Sequence, residues 1–153
     1  MNESVPILRS KVIESFINLE CLVNAIITQH YFKRGYLPFL LEVLYDENCS
    51  FALKRNVLLK IVKDFDENIK NDLYRLNTIR NIFAHCGPEI SPINESGGRV
   101  PNPRKLEEEI NFLKLHDEFM QKESKVIGYL FNIAQQIGAQ FIEGDTINAR
   151  SHP

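Results

Sequence analysis

The stretch DENIKNDLYRLNTIRNIFAHCGP, residues 66–88, decides how this chain is read. Ile69, Leu73, Leu76, Ile79 and Phe83 recur at steps of four, three, three and four, the spacing of one helical face. Asp66 to Asn68 supply the start, and Gly87-Pro88 supplies the stop, because glycine takes the left-handed conformation after a helix and proline cannot continue one. A helix from about Asp66 to about Cys86 follows. Tyr74, Asn77, Asn81 and His85 form a second, polar line on the neighbouring face, at steps of three, four and four. Arg80 falls within the apolar stripe, where a guanidinium is costly unless something pairs with it.

Outward from this helix the same periodicity recurs. A first helix is expected from Pro6 or Ser10 to Phe32, ended by Gly35. It carries two apolar stripes, Ile13, Phe16, Ile17, Ile27 and Tyr31 on one side and Val12, Leu19, Leu22 and Ile26 on another, so it is read as central or as lying in an oligomer interface. Glu20 and Asn24 interrupt the first of these stripes. An inward carboxylate on this helix and an inward arginine on the other predict a pair, with Glu20 and Asn24 fixing the Arg80 fork. A short segment from Leu37 to Tyr45 begins near Pro38, which a helix start tolerates. Ser50 is read as the N-cap of a helix to about Asp64, with Phe51, Leu58, Ile61, Val62 and Phe65 inward.

Residues 87–104 are rich in Gly, Pro, Ser and Asn and are expected to form one long loop. A charged helix is expected from Arg104 or Lys105 to about Ile142, with a break near Gln121 to Ser124, where the apolar phase slips. Period-2 alternation is absent, so no strand is expected. The reading is therefore all-α: one domain over residues 1–143, a four- to five-helix up-and-down bundle, and a disordered tail over 144–153.

The chain has 153 residues, 44% hydrophobic and 25% charged, with a formal net charge of −2. A core of ordinary size is within reach, and a general nucleic-acid coat, which needs a broad basic surface, is excluded. The three cysteines, Cys21, Cys49 and Cys86, are odd in number and far apart, and so read as reduced thiols of a cytoplasmic protein. His30, His116 and His152 lack metal-ligand spacing, and neither a metal nor another cofactor is expected. No signal peptide is read at the N-terminus, and no run of 18 uninterrupted apolar residues predicts a membrane span.

The residue types at the end of the fourth helix fit one chemistry. RNA can be cut when its own 2′-hydroxyl attacks the adjacent phosphorus. That needs a base for the hydroxyl, an acid for the leaving 5′-oxygen, and cations for the phosphorane. His85 titrates in the right range, Arg80 can hold phosphate oxygens, and Asn81 can orient either partner. One copy supplies one histidine of this set, so a twofold pair would supply acid and base together.

Arg80-Asn81-x-x-x-His85 resembles the R-x4-6-H signature of the HEPN superfamily, in the form with a polar residue directly after the arginine. The path from Ser50-Phe51-Ala52-Leu53-Lys54 through Leu73 to His85 looks like the mannitol-repressor-like branch, as does Leu19-Glu20 within the apolar first helix. The resemblance covers roughly residues 6–142, and its sharp part is the six-residue motif. It implies a metal-independent endoribonuclease, a toxin or defence effector, working as a homodimer with Arg80, Asn81 and His85 in a shared cleft. Glu20, Asn24, Asn77 and Tyr74 would support the site, and Arg99, Arg104 and Lys105 are candidates for contact with single-stranded or structured RNA. An antitoxin or regulatory protein is the implied partner. Some HEPN toxins carry a tyrosine two residues after the histidine that a partner enzyme modifies; here that position is Gly87, which has no hydroxyl. The family also includes catalytically silent regulators and interaction domains, and this is the alternative reading.

Overall fold

The computed structural model describes residues 4–33, 36–85, 99–102 and 105–139. These are mostly helical: α1 (Val5–Phe32), α2 (Leu37–Phe39), a π-helical turn (Leu40–Leu44), α3 (Phe51–Ile61), α4 (Glu67–His85) and α5 (Phe112–Gln136). A two-stranded antiparallel hairpin, β1 (Arg99–Asn102) and β2 (Lys105–Asn111), precedes α5. The chain divides into two compact units, Met1–Glu20 with Asp64–Tyr129, and Cys21–Lys63 with Leu130–Pro153.

The first unit is built on α4 and α5 with the start of α1. Asp66 caps α4: its Oδ1 accepts the backbone N–H of Asn68 at 2.8 Å and of Ile69 at 3.0 Å. Leu73, Leu76, Ile79 and Phe83 are buried, as the stripe predicts. Helix α5 runs antiparallel to α4. Phe83 meets Phe112 edge-on at 5.1 Å, Arg75 binds Glu118, Lys122 pairs with Asp72, and the Tyr129 hydroxyl accepts the Asp66 N–H at 3.0 Å. Numbers falling along α4 thus match numbers rising along α5. The start of α1 contributes Leu8, Val12, Phe16 and Leu19, all buried, and Ser15 donates to Glu123 at 2.6 Å.

The structure corrects three expectations here. Lys105–Asn111 is a strand, and α5 begins only at Phe112, where the Asn111 Oδ1 accepts the Lys114 N–H at 2.9 Å as an N-cap. The 87–104 segment is not all loop, since Arg99–Asn102 pairs with β2. Val100 lies opposite Ile110, a buried residue, and the register shifts after Pro101. A two-stranded ladder leaves each strand an open edge, so a proline without an N–H is tolerated. Finally, α5 does not break at 121–124. The apolar phase slips there because Lys122 and Glu123 make polar links to α4 and α1 instead of filling a core stripe.

In the second unit, Leu22, Val23, Ile26 and Ile27 of α1 are buried, together with Leu44, Phe51, Leu58, Leu130 and Ala134. Ser50 caps α3 as expected, its Oγ accepting the Leu53 N–H at 3.3 Å. Ile61 and Val62 are only half-buried, and the helix stops at Ile61 rather than near Asp64. Helix α1 ends at Phe32 with Lys33 in the left-handed region, φ 56°. The residue expected to end it, Gly35, lies outside the described residues. Of the two stripes on α1, Val12, Leu19, Leu22 and Ile26 are all buried, whereas the other is split, with Phe16 and Ile27 buried, Ile13 half-buried, and Ile17 and Tyr31 exposed.

By length and composition α1 could cross a membrane, with an apolar window of mean hydropathy 1.2, although half of that window is buried within the structure, as in the core helix of a folded domain.

Candidate functional site

The candidate site is the C-terminal half of α4. On a helix, Asn81 stands about 100° round from Arg80 and His85 about 40° from Asn81, so the three step away from the buried stripe. Arg80 is half-buried, its guanidinium lying over the Phe16 ring of α1 at 5.4 Å. Its Nη1 donates to the Asn81 Oδ1 at 2.9 Å. The ring contact offsets the cost of placing a cation beside the core, and the asparagine draws the fork toward the polar flank. His85 is the last residue of α4 and is exposed. Tyr74 is exposed, and Asn77 and Asn81 are half-buried, so the expected polar line is a solvent-facing flank. Thr78, beside this line, donates its hydroxyl back to the Tyr74 carbonyl at 3.1 Å.

Helix α1 behaves differently from the expectation at Asn24. Its Nδ2 and Oδ1 are both buried without a hydrogen-bond partner, so the amide fixes no guanidinium. Asn81, the neighbour in sequence, holds the fork instead. Glu20 is half-buried, one turn from Phe16 and one turn from Asn24, which are both buried.

Around this site the first unit is braced by charge. Arg75 donates from Nε and Nη2 to the two carboxylate oxygens of Glu118, both at 2.7 Å. That fork holds the Glu118 carboxyl below its ordinary range, the hydrogen bond outweighing partial burial, and raises Arg75 in turn. Lys122 and Asp72 form a second pair one turn away. The sequence reading did not single these residues out. The signal was present, since Asp72 and Arg75 on one helix and Glu118 and Lys122 on another are each a turn apart, but pairing them needs the helix register.

Comparison with family models, with curated proteins and with solved structures returns no match to this chain. What the site can do must be read from its own residues. Among the described residues, no group of three or more His, Cys, Asp or Glu stands close enough together to hold a metal ion. Cys86, Gly87 and Arg104 lie outside the described residues, while Arg99 and Lys105 are placed by backbone alone, at the outer register positions of β1 and the start of β2.

Proposed function

We propose that this chain is a HEPN-type endoribonuclease that cuts RNA by attack of the RNA's own 2′-hydroxyl, at a site composed from two copies of α4. The observation that supports it is the Arg80–Asn81 hydrogen bond, which turns a half-buried guanidinium toward the flank where His85 is exposed. In the reaction, a bond forms between the 2′-oxygen and phosphorus while the bond from phosphorus to the 5′-oxygen breaks. The 2′-hydroxyl proton passes to one histidine, and the histidine of the second copy protonates the leaving oxygen. Arg80 from each copy carries the charge that builds on the non-bridging oxygens. The products are a 2′,3′-cyclic phosphate and a 5′-hydroxyl. Tyr74 and Asn77 would flank the substrate, with Glu20 of α1 in support, and Arg99, Arg104 and Lys105 are the candidates for phosphates further along the strand. A HEPN helical bundle, a cytoplasmic setting and an antitoxin or regulatory partner belong to the same reading.

One observation favours a second reading, a silent HEPN or mannitol-repressor-like regulator. Arg80 over Phe16 is also what a purely structural arginine does when it packs one helix on another.

The test is cleavage of a mixed RNA in EDTA. On the nuclease reading the wild type produces cyclic-phosphate ends, and His85→Ala lowers the rate by roughly 10²–10⁴-fold, the usual weight of a general acid or base. Arg80→Lys keeps the charge but loses the fork, and falls between wild type and Arg80→Ala. Alanine variants that cleave as fast as wild type, or a wild type that leaves RNA intact, favour the regulator.

A further inference from the structure

Where α1 ends, in the second unit, a cluster of rings stands at the surface. Tyr31 is 57% exposed, Phe32 37% and Tyr36 36%. Rings of this size ordinarily contribute their area to the core. Here they are arranged at the surface instead. Phe32 stacks on Tyr36 with centroids 4.7 Å apart and planes 28° from parallel, and packs against Phe39 at 4.9 Å. His30 meets Tyr31 edge-on at 5.0 Å. Rings braced in this way present flat faces with little rotational freedom left to lose on binding.

The stretch of chain that carries the rings is one-sided in charge. From Cys21 to Leu41 the sequence contains no acidic residue, and the next carboxylate is Glu42. Lys33 sits between Phe32 and Tyr36 in the chain, exposed, at φ 56°. Glycine would fit that backbone without strain, so what the lysine adds is its ammonium.

We propose that Tyr31, Phe32, Tyr36 and Lys33 form a platform for single-stranded nucleic acid, with unpaired bases stacked on the rings and a phosphate held by the lysine. The chemistry selects this partner. A base needs a flat π surface, and the phosphate beside it needs a cation, which Lys33 supplies. A lipid surface would need an unbroken apolar face continuing from the rings, but Leu22, Val23, Ile26 and Ile27 before them are buried, and the exposed Leu41, Val43 and Tyr45 after them are interleaved with exposed Glu42 and Asp46. The inference does not depend on cleavage, because Arg80 and His85 belong to the other unit.

The test is fluorescence anisotropy of a short labelled oligouridylate titrated with the full chain, carrying His85→Ala so that the probe survives. Tyr31→Ala and Tyr36→Ala should each weaken binding roughly tenfold, and Tyr31→Phe and Tyr36→Phe should leave it unchanged, since the π face remains. Lys33→Gln should lower the slope of log affinity against log salt by roughly 0.7. Should Tyr36→Ala disturb the fold by circular dichroism, Tyr31→Ala, the more exposed position, carries the test. The proposal is overturned if the oligouridylate does not bind, if the alanine variants bind as wild type does, or if a duplex binds equally well. Tyrosine-dependent binding to anionic phospholipid vesicles in place of the oligonucleotide overturns it too. A wild type that binds RNA and cuts none retains the platform and removes the nuclease.

Discussion

Asn24 shows what one side chain costs. It is fully buried, and neither end of its amide finds a partner, although its backbone carbonyl accepts the Thr28 hydroxyl at 2.8 Å. An amide buried without hydrogen bonds costs about 1–3 kcal/mol. Asn24→Leu, close in volume and free of polar atoms, should therefore raise stability by about that amount, read as a higher urea midpoint with an unchanged slope. A lower midpoint would mean that the amide has a partner in solution. Arg80 is the contrasting case, a cation at the edge of the core whose fork and face are both engaged, by Asn81 and by Phe16.

Among the elements, the end of α1 and the start of α5 show two ways in which a helix boundary is set. At α5 the cap is chemical: Asn111 accepts the Lys114 N–H, and the signal of an asparagine directly before an apolar pair was readable in the sequence. At α1 the end is conformational, with Lys33 doing what glycine ordinarily does. A lysine in the left-handed region is strained by about 1 kcal/mol, so Lys33→Gly should raise the thermal midpoint while weakening oligouridylate binding. A variant that loses both stability and binding would contradict this account of the turn. The hairpin before α5 was not legible. Lys105-Leu106-Glu107-Glu108-Glu109 has the composition of an exposed helix, and only pairing with Arg99–Asn102 makes it extended.

For the molecule as a whole, the clearest dependence on solution conditions is on acid. Glu118 is held below its ordinary carboxylate range mainly by its hydrogen bond to Arg75. A depressed carboxylate stabilises the fold above its unfolded value and loses that contribution as pH falls through the folded one. Both side chains are about a third exposed, at 40% and 31%, so the pair contributes no more than about 1 kcal/mol after screening. Glu118→Gln should therefore be less stable than wild type at neutral pH and equal to it in acid below the folded value, as followed by urea midpoints across that range. A difference that persists unchanged into acid would assign the loss to packing. The raised Arg75 contributes over the whole physiological range, its loss confined to strong alkali.

By itself the sequence determined the helices, because periodicity of apolar residues is a local property. The stripe of α4, the caps at Ser50 and Asp66 and the length of α1 follow from neighbours a turn apart. It also placed Arg80, Asn81 and His85 together on one stretch of helix, since their spacing is fixed by the chain. Tertiary structure decided which members of the second stripe on α1 pack inward, which partner holds the Arg80 fork, and that a charged segment pairs as a strand. Each of these depends on what lies across a gap rather than along the chain. Apolar residues along one helical stripe are equivalent until a neighbour covers some of them, and a cation beside the core is unplaced until a ring or an amide comes within reach.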